Sequence, residues 1–256
     1  MGMRLQRLDD YQTWLLTHGS TALVIDPWLS ATILKGSFNR NHLSNFTPID
    51  QLPKLDGVVL CTHVTDHCRV ESLGLLDPAI PVHGTTRAAK AARNIGMTIT
   101  HAHKPGDTFT IGNGDDALKF EVVRTGWPLS LLALAFVIEP VTGGRRVYFD
   151  PHLPSSKLAS LVGRADVLVA PVRGVRAVII PATAGAKRVV NSARALGATV
   201  IVPTALDPKR DMSWWQRFAY RGWGSAATVQ SHAGSGVLVV PEDQSLIDLD
   251  DLVAAN

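Results

Sequence analysis

Short apolar runs broken by turn residues open the chain, at residues 4–8, 13–16 and 22–25, and they predict three strands. Residues 57–61 (Gly-Val-Val-Leu-Cys) form a continuous apolar run of strand length, which suits a strand buried on both faces. Residues 30–48 between them are polar and aperiodic, and predict a long loop over a site. Residues 85–95 carry a helical pattern, with Thr85 or Thr86 as N-cap and Gly96 as the stop. Strands follow at 109–111, 118–123, 131–138 and 146–149, punctuated by Gly112-Asn113-Gly114 and Gly143-Gly144.

From residue 155 onward helix and strand alternate. Helices are expected at 156–162, closed by Gly163, and at 184–196, closed by Gly197. Strands are expected at 166–170, 199–202 and 237–240, and further helices at 213–221 and 248–253. Strands first, then helix and strand in alternation, predict a layered α/β fold with mixed sheets. Neither a Gly-x-Gly-x-x-Gly nor a P-loop signature is present, so no motif supports nucleotide binding.

The 256 residues are 46% hydrophobic and 18% charged, enough apolar surface for a sizeable core and too little charge for disorder. A single domain over 1–256 is expected. Net charge is +3 with the cations scattered, so nucleic acid is not an expected partner. The start, residues 1–10, lacks an apolar signal core, and the run 129–138 is too short to span a bilayer. Cys61 and Cys68 cannot build a disulfide framework, and a cytoplasmic protein without a membrane partner is expected.

Two strand ends concentrate metal-ligating side chains. His63, Asp66 and His67 lie within five positions after the run 57–61. Asp150 and His152 follow the strand 146–149. Imidazole and carboxylate suit zinc, and also iron or manganese. Asp207 is the one strong ligand after 199–202. His101 and His103 are expected on the solvated face of an edge strand. Trp214, Trp215, Phe218, Tyr220 and Trp223 suggest core packing or a wall over a cleft.

The chain resembles the metallo-β-lactamase superfamily in several ordered segments. Residues 22–29 (Ala-Leu-Val-Ile-Asp-Pro-Trp-Leu) resemble the early strand of a lactonase-like branch. Residues 52–63 resemble the lead-in to its metal motif, 104–112 a later strand pair, and 147–150 the strand ending at the metal-bridging aspartate. The family motif Thr-His-x-His-x-Asp-His is depleted here. Aligned from its right end it keeps Asp66 and His67 and puts Thr62 and Val64 where histidines belong. Aligned from the left it keeps His63. No histidine stands near 125–128 or 203–205, where the family places two more.

The resemblance implies an αββα sandwich of two mixed β-sheets flanked by helices. It implies a metal-dependent hydrolase of a small ester, lactone or phosphoester. One divalent ion, zinc before iron or manganese, would be held by Asp66, His67, Asp150 and His152. His63 and Asp66 would be catalytic. The alternative is a non-catalytic scaffold without metal that binds a ligand or protein. A small-molecule substrate is the expected partner, with self-association left open.

Overall fold

The computed structural model describes residues 2–30, 40–42, 45–177, 180–206, 209–211 and 220–254. Two seven-stranded mixed sheets lie face to face. The first has the order Leu246–Asp248, Met3–Arg7, Trp14–His18, Thr21–Ile25, Gly57–Leu60, Val82–Gly84, Thr100–Ala102. The second has the order Leu238–Val239, Val200–Thr204, Val167–Pro171, Val147–Phe149, Leu134–Pro140, Leu118–Arg124, Thr108–Ile111.

Central strands such as Thr21–Ile25 and Gly57–Leu60 are buried at every position because both their faces are covered. In Thr21–Ile25, Leu23 and Ile25 enter the core between the sheets. Ala22 and Val24 enter a second core on the outer face. The inner core joins Trp14, Leu16 and Val59 of the first sheet to Phe120, Phe136 and Phe149 of the second. Each such fully buried side chain contributes about 1.5–3 kcal/mol before its entropy cost.

The outer faces are closed by helices. Thr86–Asn94 buries Ala88 and Ala92 against the first sheet, and its N-cap Thr85 accepts the Ala88 amide. Ala186–Leu196 and Ala226–Ala233 cover the second sheet. Gly197, left-handed at φ 68°, ends the first of these. The layers are therefore the expected αββα sandwich.

The two sheets share one plan. Each runs through three antiparallel joints and then three parallel ones. The change falls at Thr21–Ile25 in the first and at Val147–Phe149 in the second. Each of these strands runs into an Asp-Pro step, Asp26-Pro27 and Asp150-Pro151. Both aspartates are fully buried.

Several sequence expectations are corrected. Inside the expected loop 30–48, Arg40–His42 is a strand paired with Lys209–Asp211. Tyr220–Trp223 is a strand rather than the end of a helix, held by pairing with Gly174–Ala177. Trp214, Trp215, Phe218 and Asp207, and most of the loop, lie outside the described residues. The strand expected from 131 begins at Leu134, after a 3-10 turn at Leu129–Leu131. His101 lies on an exposed edge strand as expected. His103 is half-buried instead, stacked with His83 and Phe109. No helix among the described residues is long and apolar enough to cross a membrane.

Candidate metal centre

Asp26 ends its strand in the left-handed region at φ 49°, a conformation Asp tolerates better than most residues. The turn aims its carboxylate across the strand ends. Oδ1 accepts the Cys61 amide at 2.8 Å, and Oδ2 accepts Nδ1–H of His67 at 2.7 Å. That bond places the His67 proton on Nδ1 and leaves Nε2 as the acceptor nitrogen. Nε2 lies 3.9 Å from Asp66 Oδ2. The Tyr11 hydroxyl donates to the same Asp66 oxygen at 3.0 Å, and Gln12 Nε2 donates to the Asp66 carbonyl at 2.7 Å.

The loop that carries Asp66 and His67 is tied to the opposite sheet. Thr62 Oγ1 donates to the Leu132 carbonyl at 2.9 Å, and the Leu134 amide donates to the Cys61 carbonyl at 2.7 Å. The second half delivers His152, whose ring stacks on His67 with centroids 4.5 Å apart. His152 Nδ1 is buried and has no hydrogen-bond partner among the described residues. Tyr11, Thr62, Asp66, His67 and His152 line one cavity of about 160 Å³, walled by Leu132 on its apolar side.

Charge distinguishes the two stacked imidazoles. Burial alone lowers the His67 pKa, but Asp26 and Asp66 outweigh it and the net shift is upward. Burial, and then the neighbouring His67, push His152 well below the usual histidine range, so it is neutral. Both cysteines are buried and unpaired, and burial pushes the Cys68 thiol up to about 12. Neither is a nucleophile at neutral pH.

Asp150 does not reach the cavity. Its Oδ1 accepts Thr125 Oγ1 at 2.8 Å and the amides of His152 and Leu153 at 3.0 and 3.2 Å. Its Oδ2 accepts the Tyr148 hydroxyl at 3.0 Å. Both oxygens are engaged in bracing the loop that presents His152. His63 is also separated from the group. Thr62, Val64 and Asp66 line the cavity, whereas His63 lines a neighbouring one. Thr62, Val64, Asp66 and His67 thus share one cavity, and His63 lies outside it.

The donors present fit one ion in part. Two donors at about 2.1 Å from one tetrahedral zinc lie about 3.4 Å apart, so Asp66 Oδ2 and His67 Nε2, 3.9 Å apart, would draw together to share an ion. A carboxylate behind the imidazole is the usual support of a metal-binding histidine. Beyond that pair, no three His, Cys, Asp or Glu side chains among the described residues are grouped to hold an ion. The expected set of Asp66, His67, Asp150 and His152 is thus not assembled as four ligands. Asp150 is turned away, and His152 lies face to face with His67.

Sequence reasoning passed over Asp26, Tyr11 and Gln12 as site residues. The repeated Asp-Pro at two strand ends was the available signal for Asp26; the other two carry none.

The beta-lactamase superfamily domain matches residues 8–205 of the chain. The chain belongs to this superfamily. Solved structures with the same fold include the isothiocyanate hydrolase from Delia radicum gut bacteria. It is 15% identical with TM-score 0.69, covering 96% of this chain and 98% of that one. YhfI from Bacillus subtilis, a metallo-beta-lactamase fold protein, is 17% identical with TM-score 0.65, covering 96% and 99%. The diiron beta-hydroxylase CmlA from Streptomyces venezuelae is 14% identical with TM-score 0.67, covering 96% of this chain and 53% of that one. The superfamily member described here thus spans about half the length of CmlA. No curated protein matches the chain.

Proposed function

We propose that the chain is a metal-dependent hydrolase with a reduced, single-ion centre, acting on a small ester, lactone or phosphoester. The observation that carries this reading is the Asp26–His67 bond of 2.7 Å, which holds Nδ1 against Asp26 and turns Nε2 toward Asp66. Asp66 and His67 would hold the ion, zinc before iron or manganese, and His152 is the next donor in reach of the cavity. The bound ion would polarise a carbonyl or phosphoryl oxygen and supply hydroxide at neutral pH. Asp26 fixes the His67 tautomer, and Tyr11 fixes the Asp66 carboxylate. His152 is kept neutral, and its Nδ1 has no hydrogen-bond partner among the described residues, which suits it to ligation better than to proton transfer. Leu129 and Leu132 give the cavity an apolar wall for the organic part of a substrate.

The test is hydrolysis of a panel of esters, lactones and phosphodiesters by protein loaded with each ion. Turnover of one class by wild type, lost in Asp66→Ala, supports the reading. Inactivity of metal-loaded protein on every class contradicts it. A second reading, a scaffold that binds a ligand or protein without metal chemistry, is favoured by one observation: no third ligand joins the pair among the described residues. Metal content separates the two.

A further inference from the structure

Beside the candidate metal centre lies a second cavity, of about 280 Å³, which shares only Leu132 and Ala133 with the first. Its polar lining is cationic or neutral: His63, Thr86, Arg87, His103, Lys104 and Ser130. Arg87 projects from the first turn of the helix Thr86–Asn94, and Lys104 follows the edge strand Thr100–Ala102. Two elements distant in sequence thus bring two full positive charges to one cavity. Neither side chain makes an ion pair or side-chain hydrogen bond within the described residues, and no carboxylate lines the cavity. Asp107, an acid outside the lining, meets two of the lining residues at their other atoms. It accepts the Lys104 amide at 2.9 Å and lies 4.0 Å from His103 Nδ1 on the side of the ring away from His83, which bonds Nε2 at 3.0 Å.

Both cations are exposed where they line the cavity, so their mutual repulsion is screened, and no carboxylate in the lining offsets their charge. That arrangement gains stability when an anion enters. Arg87 already acts on its neighbours: burial first, and then the Arg87 charge, hold the His63 imidazole below its ordinary pKa. Arginine offers a planar pair of donors to an oxyanion and lysine a point charge, with Ser130 and Thr86 hydroxyls at the same wall.

We propose that this cavity binds an oxyanion, the phosphate or carboxylate group of a small molecule, on Arg87 and Lys104. His63 and His103 flank the anion and become easier to protonate when it is bound. The binding site stands on the cavity and its cations and does not depend on hydrolysis. A role in holding the non-reacting end of a substrate would rest on the proposed hydrolase reading, since the two cavities share a wall.

Inorganic phosphate and acetate, titrated separately against the full chain at constant ionic strength, test the site. Binding is read by calorimetry and by the histidine ring resonances. Saturable binding is expected with one or both anions, with His63 and His103 resonances moving and their pKa values rising. The anion that binds identifies the group. Arg87→Ala/Lys104→Ala should weaken binding by about tenfold or more, the loss of charge-assisted hydrogen bonds. Lys90→Ala removes one exposed cation from the same helix outside the cavity and should bind as wild type. Asp66→Ala/His67→Ala, which removes the metal pair, should also bind. No saturable binding of either anion overturns the proposal. So does equal weakening in Lys90→Ala, which would mean diffuse attraction. Loss of binding in Asp66→Ala/His67→Ala would place the anion at the metal pair and overturn it as well.

Discussion

Asp26 and His67 are fully or nearly fully buried and joined at 2.7 Å between Oδ2 and Nδ1, though 41 residues apart in sequence. The bond fixes which imidazole nitrogen faces the cavity. Asn in place of Asp26 would keep an acceptor for the Cys61 amide but turn a donor toward Nδ1. The His67 proton would then move to Nε2, where it blocks coordination. Asp26→Asn should therefore weaken zinc binding by about 10–100-fold with the fold retained. Calorimetric zinc titration with circular dichroism checks this, and unchanged affinity would show that the tautomer does not matter.

Asp150 braces a loop in this account and does not ligate. Its two oxygens take four donors, from Thr125, Tyr148, His152 and Leu153. Asp150→Ala orphans them in a buried site, at about 3 kcal/mol or more. For a chain of this size that lowers Tm by about 6–12 °C. Asp150→Asn keeps the acceptor on one side and should bind zinc as wild type does. Zinc loss in Asp150→Asn, at unchanged Tm, would return Asp150 to the ligand set.

Asp9 sets a pH signature behind the site, where it accepts the Tyr11 amide at 2.9 Å. Burial raises its pKa from an ordinary 3.8 to about 6, against hydrogen bonds from Thr13 and Tyr11. Between about pH 4 and 6 the unfolded chain has lost a proton that the folded chain keeps. The stabilising contribution is thus complete below about pH 4 and disappears as pH rises through 6. Urea unfolding of wild type and Asp9→Asn across that window should show the wild type losing up to about 3 kcal/mol relative to the variant. A difference that is flat or grows with pH contradicts the burial argument.

The parts of the fold legible in the sequence are those with strong local signals. The apolar run at Gly57–Leu60 and the helices Thr86–Asn94 and Ala186–Leu196 fall close to expectation, because their burial or caps are written locally. Val82–Gly84 was not found, and Thr100–Ala102 was expected only as an edge strand around His101. They are three residues long, contain histidine, and are strands only through their neighbours. At the site, Asp66 and His67 were legible as a pair. Which side of the loop His63 takes, and which way the Asp150 carboxylate turns, depend on contacts between the two sheets. The shared plan of those sheets is visible only once the pairing is known, although Asp26-Pro27 and Asp150-Pro151 mark the same place in each.

The most direct test is metal content by elemental mass spectrometry, on wild type and on Asp66→Ala/His67→Ala, purified without chelator or nickel. The account predicts about one zinc, iron or manganese ion per wild-type chain, lost in the double variant. Wild type that takes up no metal after incubation with each ion, or a double variant that keeps it, would contradict a centre built on Asp66 and His67.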